Sequence, residues 1–388
     1  MRYYVRMKKN QNLPFNAPLT LLGGITPEAF LKEYWHKKPL LVRGAIPAFA
    51  GLLSPNELAG LACEEDVQSR LVSFSKKQWH CEQGPFDEER FAKLPKRDWT
   101  LLVQSVNHHM QEATDLLQQF NFIPHARLDD LMVSYAPDGG GVGPHFDSYD
   151  VFLLQGLGQR LWRISEQTDL SLVEDAPLRI LKHFDSQQEW TLSAGDMLYL
   201  PPHLAHWGVA VGDCMTYSIG FRAPSAEELA GEFLNYLQEK RAFKGRYADP
   251  DLKLQAHPAE ISSEMVNHVA AMISSLKWNE NDVADFLGQY LSEPKLEVVF
   301  EQPTPISERV FIQQLLSQGI QLDLKSQLLV SNGQFYLNGE QIFLPQSDYS
   351  IILKLADHRF LSGPDLDNVS PECIRFLHDS FLAGYLMF

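Results

Sequence analysis

The sequence predicts an α+β protein, with an antiparallel β-barrel or double-sheet jelly roll followed by a helical region and a small helix–hairpin–helix module. Three observations predict this class. Between residues 128 and 223, short apolar or alternating runs are separated by Gly, Pro and Asp, as in barrels of many short strands. After Pro224 the apolar residues recur every three or four positions, which is the period of an amphipathic helix. A proline-containing linker at residues 302–305 then precedes the last module.

Two short helices are predicted ahead of the barrel. The apolar spacing of residues 27–35 is helical, and the chain becomes extended at residues 39–43. Ser54 followed by Glu57 is a capping-box pattern, which predicts that a second helix begins there. The predicted barrel strands are Leu131–Tyr135, Val151–Leu154, Leu161–Ile164, Met197–Leu200 and Thr216–Phe221. Because residues 155–159 contain two glycines, we expect a turn there that makes the second and third of these strands a hairpin.

Three amphipathic helices are predicted between residues 224 and 300. Ser225 and Glu228 form another capping box at the start of the first one. The three apolar stripes are Leu229, Phe233, Tyr236 and Leu237; Ile261, Met265, Val269, Met272, Ile273 and Leu276; and Val283, Phe286, Leu287 and Tyr290. Such stripes are buried either against the barrel or against a second copy of the chain. We therefore predict a homodimer, with packing on the barrel as the alternative.

The last module is predicted to be a winged helix. A helical pattern over residues 307–318 precedes a hairpin over residues 335–344, and more helices follow. The hairpin is marked by Asn338-Gly339, the strongest short turn signal in a sequence. From residue 303 to the end, five Lys and Arg stand against nine Asp and Glu, a net charge of −4. Because this charge repels phosphate groups, we expect no direct DNA binding.

Composition narrows the class of protein further. The 388 residues include 33 Lys and Arg against 49 Asp and Glu, so the net charge is −16 and a basic protein partner is favoured over nucleic acid. The four cysteines lack the close pairing of a disulfide scaffold or zinc ribbon, which is typical of a reducing compartment. The start of the chain lacks the apolar stretch of a secretory signal, and no run approaches the ~20 apolar residues of a membrane helix. We predict a cytoplasmic protein without a membrane segment.

The most informative stretch is a glycine-rich segment that ends in His145-Phe-Asp147. On an extended strand, His145 and Asp147 project from the same face and can bind one metal ion. The glycines before them let the backbone approach the site closely. His206, which follows the prolines at residues 201–202, is the predicted third ligand. Two histidines and one carboxylate leave three octahedral positions open, which is the ligand set of non-haem Fe(II) oxygenases.

Other histidines offer alternative ligands. His203 competes with His206, which we prefer because it comes directly before the next strand. Residues 183–186 repeat residues 145–148 letter for letter. This second copy lies in a polar stretch without a glycine lead-in, and too close to His206 for the intervening strands. We predict that it lies at the surface.

Four further side chains complete the predicted site. Arg160, expected at the start of the strand after the glycine turn, can bind the distal carboxylate of a 2-oxo acid through its planar guanidinium. The alternative is a solvated charge, as expected of Arg163. Ser134 can add a hydroxyl hydrogen bond. Asp130 shares a strand face with Ser134 and is predicted to point into the same cavity, where its carboxylate can pair with a guanidinium. Tyr149, in phase with the metal pair, is predicted to wall the side-chain channel. Alternatively, Asp130 is a turn residue and Tyr149 is an aromatic residue of the core.

These motifs carry a resemblance to a known family. The chain resembles the Jumonji-C ribosomal oxygenases, which are Fe(II)- and 2-oxoglutarate-dependent protein hydroxylases, and most of all their bacterial arginine-hydroxylating members. The segments that resemble them are Phe30–Gly44, Asp129–Ser134, Gly139–Asp147, Gly195–Pro202 and Tyr217–Pro224. Two features differ from the family pattern. Residues 1–21 extend beyond the usual start, and Asp138 replaces a small residue or proline at what we expect to be the rim of the substrate pocket.

The resemblance implies roles for the site residues. It implies Fe(II) bound by His145, Asp147 and His206, and 2-oxoglutarate bound by Ser134 and Arg160, with O2 as the other co-substrate. The usual target of the bacterial members is one arginine of a basic large-subunit ribosomal protein, hydroxylated at Cβ, and we expect the same here. Two alternatives stay open. One is the same chemistry on histidine or another residue, including lysine demethylation, and the other is a non-catalytic metal-binding cupin that acts in ribosome assembly.

The resemblance also implies the domain order. It predicts a Jumonji-C catalytic domain over residues 1–223, with the core of a double-stranded β-helix at about residues 128–223. A helical dimerisation region is predicted over residues 224–300, and a winged-helix domain over residues 301–388.

Overall fold

The computed structural model describes residues 16–240, 245–366 and 369–388. Most of the predicted N-terminal extension lies outside the described residues. The chain divides into two compact units, Met1–Ala223 with Glu297–Val299, and Pro224–Leu296 with Phe300–Phe388. The finer division into three domains stays a prediction. Within the described part of the chain, no helix has both the length and the apolar character needed to cross a bilayer.

The first unit is built on one nine-stranded antiparallel sheet. The strands are β1 (Leu40–Val42), β2 (Ser69–Ser75), β3 (Gln78–Gln83), β4 (Trp99–Val103), β5 (Leu128–Ala136), β6 (Val151–Ser165), β7 (Gln188–Ser193), β8 (Met197–Leu200) and β9 (Ala205–Phe221). Their order in the sheet is β1-β8-β6-β9-β5-β4-β2-β3, and β7 pairs with the far half of β6. The helices of this unit are α1 (Pro27–Glu33), α2 (Pro55–Leu61), α3 (Glu88–Ala92) and α4 (Gln111–Leu117).

The predicted N-terminal elements are confirmed. The Ser54 hydroxyl accepts a hydrogen bond from the Glu57 N–H, and the Glu57 carboxylate accepts one from the Ser54 N–H, so the capping box starts α2. The extended segment predicted at residues 39–43 contains β1, which pairs along its whole length with β8. Local capping and apolar spacing were therefore sufficient to place these elements.

The hairpin predicted at residues 155–159 is wrong, because β6 is one continuous strand. The ladder between β6 and β9 shifts register twice within this segment. A Cβ at Gly156 would lie 2.3 Å from the ring of Tyr217, and Gly158 has a φ of +61°. These glycines therefore form β-bulges, which bend a strand without reversing it.

The two faces of the sheet have different roles. On one face, Phe152 and Leu154 pack with Phe30 of α1 in the main apolar core. Alternate residues of the same strands point to the other face, where Leu153 and Ser134 line a cavity. Strands buried on one side by helices thus leave their second face to form the site.

A buried carboxylate joins the segment after α1 to the barrel. Asp150 is fully buried and accepts a hydrogen bond of 2.5 Å from the Tyr199 hydroxyl. Its other oxygen lies 2.9 Å from Nε2 of His36 and 3.7 Å from Nη2 of Arg127. Burial raises the pKa of Asp150, while Tyr199, His36 and Arg127 favour its charged form.

Replacing Asp150 by Ala is expected to destabilise the protein strongly. The change leaves the buried hydroxyl of Tyr199 and the partly exposed side chains of His36 and Arg127 without their acceptor, so the free energy of unfolding should fall by about 3 kcal/mol in a urea titration. Tyr199→Phe removes a single hydrogen bond and is the matched control, with an expected loss of about 2 kcal/mol. Equal losses in the two variants would contradict the central role of the carboxylate.

The second unit consists of helices and two small antiparallel sheets. The helices are α5 (Ala226–Lys240), α6 (Ser263–Ser274), α7 (Glu280–Ser292), α8 (Glu308–Gln318), α9 (Tyr349–His358) and α10 (Pro371–Leu382). The strands are β10 (Ile320–Leu322), β11 (Leu328–Ser331), β12 (Gln334–Leu337), β13 (Glu340–Ile342), β14 (Phe360–Leu361) and β15 (Leu386–Met387), in the orders β14-β10-β15 and β11-β12-β13. Asn338 and Gly339 join β12 to β13 with positive φ angles of 51° and 89°, as the predicted turn requires.

Candidate metal centre and co-substrate pocket

The side chains of the three predicted metal ligands lie close together in the structure. One donor atom from each of His145, Asp147 and His206 lies within 4.8 Å of the others. The strand predicted to carry the first two begins only at Val151, so strand periodicity does not hold them. Instead His145 and His206 form an isolated β-bridge, with backbone hydrogen bonds of 2.9 and 2.8 Å. This bridge brings together ligands that are far apart in the chain.

Backbone carbonyls orient both imidazole rings. Nδ1 of His145 lies 2.9 Å from the carbonyl oxygen of Gly143, and Nδ1 of His206 lies 2.9 Å from that of Leu204. A proton on each Nδ1 can be donated to these carbonyls, which leaves the Nε2 lone pairs available to a metal ion. Burial and then the neighbouring His145 lower the pKa of His206 to about 4, so this ring is neutral near pH 7. The donor set therefore fits a divalent metal ion.

The alternative histidines lie outside this cluster. His203 is exposed, has a φ of +63°, and its N–H donates to the backbone carbonyl of Asp147 at 2.7 Å. It therefore helps to shape the turn through its backbone. His183 and Asp185 of the repeated tetrapeptide are also exposed, as predicted.

A cavity of about 480 Å³ lies beside the three donors, and every residue predicted for the site lines it. Asp130 is buried there, and its Oδ2 accepts a hydrogen bond of 2.8 Å from the N–H of Ser105. Tyr149 keeps 41% of its surface exposed. Packing around this phenol raises its pKa, and the carboxylates of Asp147, Asp130 and Asp129 raise it further. Tyr149 thus borders the acidic part of the cavity.

Arg160 has the features of an anion site. Its side chain is 4% exposed, and its Nε and Nη2 have no hydrogen-bond partner among the described residues. Burying an unpaired guanidinium is unfavourable, so the space beside it is suited to a carboxylate. Ser134 is buried in the same cavity. In contrast, Arg163 lies 3.3 Å from Glu189, which fits its predicted place away from the site.

Other cavity residues were missed by the sequence analysis. Arg70 of β2, Thr100 of β4 and Gln104 just after β4 line the wall, and Arg179 comes from a loop, with its guanidinium 4.9 Å from the ring of Phe146. A threonine within the apolar run of β4 was the available signal, because a polar group on a buried strand needs a partner.

Asp138 precedes the glycines that lead to the metal donors, and it is not among the described residues that line the cavity. Its carboxylate accepts a hydrogen bond of 3.0 Å from the N–H of Gly212 and lies 3.3 Å from Nη2 of Arg97. Asp138 therefore contacts the backbone of β9, and its effect on the substrate rim stays a prediction.

Comparisons with known proteins agree with this geometry. Residues 115–229 match the JmjC domain, and residues 275–387 match the ROXA-like winged helix. The chain is 36% identical over 321 residues to the ribosomal protein uL16 3-hydroxylase of Escherichia coli strain K12, which covers 81% of this chain and 85% of that protein. The chain belongs to the JmjC ribosomal oxygenases.

Further relatives of this ribosomal oxygenase include proteins with solved structures. A probable ribosomal oxygenase of Haemophilus influenzae is 44% identical over 210 residues, covering 53% of this chain and 52% of that one. The structure of YcfD, a ribosomal oxygenase from Escherichia coli, in complex with cobalt and 2-oxoglutarate matches with a TM-score of 0.80 at 32% identity, covering 93% of this chain and 97% of that one.

The predicted enzyme class and fold are confirmed by these matches. The protein is a 2-oxoglutarate-dependent dioxygenase that uses Fe(II), 2-oxoglutarate and O2. Its fold is the cupin-like JmjC fold with a C-terminal winged helix. The assignment of the helical region to dimerisation stays a prediction.

Proposed function

We propose that this ribosomal oxygenase hydroxylates Cβ of one arginine in a basic large-subunit ribosomal protein. The Escherichia coli relative is named as a 3-hydroxylase of ribosomal protein uL16, and position 3 of an amino acid is Cβ. The observation that carries the arginine assignment is the buried carboxylate of Asp130 in the cavity beside the metal donors. The net charge of −16 also favours a basic substrate.

In this proposal His145, Asp147 and His206 bind Fe(II), and Arg160 with Ser134 binds the distal carboxylate of 2-oxoglutarate. When bound, these groups and O2 supply the oxidation: 2-oxoglutarate becomes succinate and CO2, and one oxygen atom enters a substrate C–H bond. The protein residues select which C–H bond reacts, because they orient the substrate and exclude competing positions.

Asp130 is proposed to bind the substrate guanidinium. Its Oδ2 is held by the N–H of Ser105 at 2.8 Å and by the hydroxyl of Ser105 at 3.3 Å, so the carboxylate has a defined orientation. A carboxylate in a fixed orientation favours the planar, two-point geometry of a guanidinium over the single point charge of an ammonium group. Tyr149 is proposed to wall the channel for the aliphatic part of the arginine.

Mass spectrometry tests the proposed reaction. Intact masses of ribosomal proteins are compared from cells with and without this enzyme. We expect one basic large-subunit protein to gain the mass of one oxygen atom, and fragmentation to place it on Cβ of an arginine. A gain on histidine or another residue would show a different target, and the loss of a methylene group would show demethylation.

Replacing Asp130 by Asn is expected to lower kcat/KM for the protein substrate by about 100-fold or more, because a buried charge contact is lost. Substrate-independent turnover of 2-oxoglutarate should stay unchanged. The control is Asp138→Asn, which alters a carboxylate outside the cavity and should leave kcat/KM near the wild-type value. Wild-type kcat/KM in the Asp130 variant would contradict its assignment.

We also infer that α6 is the contact between two copies of the chain. Among the described residues of the second unit, no side chain of α6 is buried. The exposed apolar residues are Met265, Val266, Val269, Met272 and Ile273 of α6, together with Ile261, two residues before the helix begins. An apolar patch of this kind is typical of a protein–protein contact.

Light scattering is therefore expected to give about twice the chain mass of 44.1 kDa. Val269→Glu places a charge in the apolar stripe and should shift the protein to a monomer. Asn267→Glu adds the same charge on another face of α6 and should leave the dimer intact. A monomeric wild-type protein, or dissociation by both variants alike, would contradict the inference.

A further inference from the structure

The cavity contains a buried hydroxyl group that the functions above do not use. Thr100 of β4 is fully buried, and its Oγ1 has no hydrogen-bond partner among the described residues. Its side chain lines the same cavity as Arg160, whose Nε and Nη2 are also without partners there. Buried polar groups in folded proteins are nearly always hydrogen-bonded, so these groups point to a ligand.

The strand register places Thr100 and Arg160 on the same face of the sheet, and both line the same cavity. In the β4–β5 ladder Leu101 pairs with Tyr135, so the next pair in the same register places Thr100 opposite Ala136. Ala136, Ala210 and Cys214 form a small buried cluster, and Ala210 lies opposite Arg160 in the β6–β9 ladder. Because opposed residues of an antiparallel pair share a face, the hydroxyl and the guanidinium project from the same interior surface. The small side chains between them leave space for a ligand.

A second buried hydroxyl in the cavity, unlike that of Thr100, has a hydrogen-bond partner within the protein. Thr216 is also buried, but its Oγ1 donates a hydrogen bond of 3.1 Å to Oε1 of Gln155. Its hydrogen-bonding need is therefore met within the protein. Thr100 has no such contact among the described residues, so its hydroxyl, like Nε1 of Trp162 in the same cavity, is a donor available to a ligand.

We propose that Thr100 donates a hydrogen bond to the distal carboxylate of 2-oxoglutarate, beside Arg160 and Ser134. The proposal rests on the assignment of Arg160 to this carboxylate in the proposed function and extends it to a third side chain. A carboxylate offers about four acceptor positions, so a guanidinium and two hydroxyl groups can bind it together. Thr100 is thus a binding residue for the co-substrate.

The proposal predicts opposite effects on folding and on binding. Without ligand, Thr100→Val replaces an unpaired buried hydroxyl by a methyl group of similar shape, so the Tm should be unchanged or higher. With 2-oxoglutarate, the same change removes a hydrogen bond to a charged group, so binding should weaken. A threonine with only a structural role would instead lower the Tm and leave binding unchanged.

Calorimetric titration of the full-length, cobalt-loaded protein with 2-oxoglutarate tests the proposal without protein substrate. The Kd of Thr100→Val is expected to rise about 10- to 100-fold, the range for a hydrogen bond to a charged group. Thr100→Ser keeps the hydroxyl and should restore most of the affinity. Titration with 2-oxovalerate, which has a methyl group in place of the distal carboxylate, should give the same Kd for wild type and Thr100→Val.

The matched control is Thr114→Val. The hydroxyl of Thr114 is buried and donates to the backbone carbonyl of Asn107 at 2.9 Å. Its loss should lower the Tm and leave the Kd for 2-oxoglutarate unchanged.

Two results would overturn the proposal. An unchanged Kd for 2-oxoglutarate in Thr100→Val would mean that the hydroxyl binds water instead. An equal loss of affinity for both oxo acids would mean that the valine alters the cavity and that no contact to the distal carboxylate is lost. Because no protein substrate is present, failure of the proposed arginine hydroxylation would leave these results unaffected. Failure of the Arg160 assignment would show separately, as wild-type affinity in Arg160→Leu.

Discussion

Replacing His206 by Ala is expected to reduce succinate formation to background. The residue supplies one of only three protein donors in the cluster, and its neutral Nε2 is oriented towards the others by the carbonyl of Leu204. Removal of one of three ligands weakens the metal site and disturbs the geometry of the positions that O2 and 2-oxoglutarate need. The measurement is succinate release under saturating Fe(II), 2-oxoglutarate and O2, together with metal affinity by calorimetry. Asp147→Ala should behave in the same way.

The matched control for this prediction is His203→Ala. His203 is three residues away, but its side chain is exposed and its structural contact is made by its backbone N–H. This variant should keep wild-type turnover and metal affinity. Turnover that survives in His206→Ala, or that is lost equally in both variants, would show that the ligand assignment is wrong. Unfolding curves of both variants separate loss of metal from loss of fold.

Replacing Arg160 by Leu is expected to raise the KM for 2-oxoglutarate by about 100-fold or more. The guanidinium is buried and its Nε and Nη2 lack partners among the described residues, so its interaction with the distal carboxylate is desolvated and strong. Since leucine removes an unpaired buried charge, the stability of the ligand-free protein should not fall. The measurement is the initial rate of succinate formation over a range of 2-oxoglutarate concentrations.

Arg163→Leu is the control for this prediction. It lies on the same strand as Arg160 but pairs with Glu189, and its guanidinium lies 5.3 Å from the ring of Trp207. The KM of this variant should match that of the wild type. A wild-type KM in Arg160→Leu would exclude the proposed carboxylate site.

The predicted metal ligands show how much residue chemistry alone can predict. His145, Asp147 and His206 were chosen for ligand type, glycine content and spacing, and the structure brings their donor atoms within 4.8 Å of one another. The reason offered for the first two was partly wrong, because they lie on an irregular segment held by a bridge to His206 and not on a strand. The chemistry of a metal site requires certain side chains to meet, whichever backbone geometry brings them together.

The predicted hairpin shows where local patterns fail. Glycines at residues 156 and 158 are compatible with a turn or with a bulge, and both have the same sequence pattern. The choice depends on neighbours that are distant in sequence. Gly156 lies against the ring of Tyr217, and a Cβ at Gly158 would lie 2.0 Å from the carbonyl oxygen of Asp213. Only the packing of β6 along β9 decides that the strand continues.

Local sequence alone was enough to predict the helix starts, the alternation of the strands, the turn at Asn338-Gly339 and the types of residue at the predicted metal site. These follow from caps, side-chain periodicity and ligand chemistry, which act over a few residues. The pairing of distant segments was needed to show that β2 and β4 complete the cavity wall and that Thr100 lines the same cavity as Arg160. An interior position depends on which strands become neighbours and in which register, and pairing between distant segments leaves little trace in either segment alone.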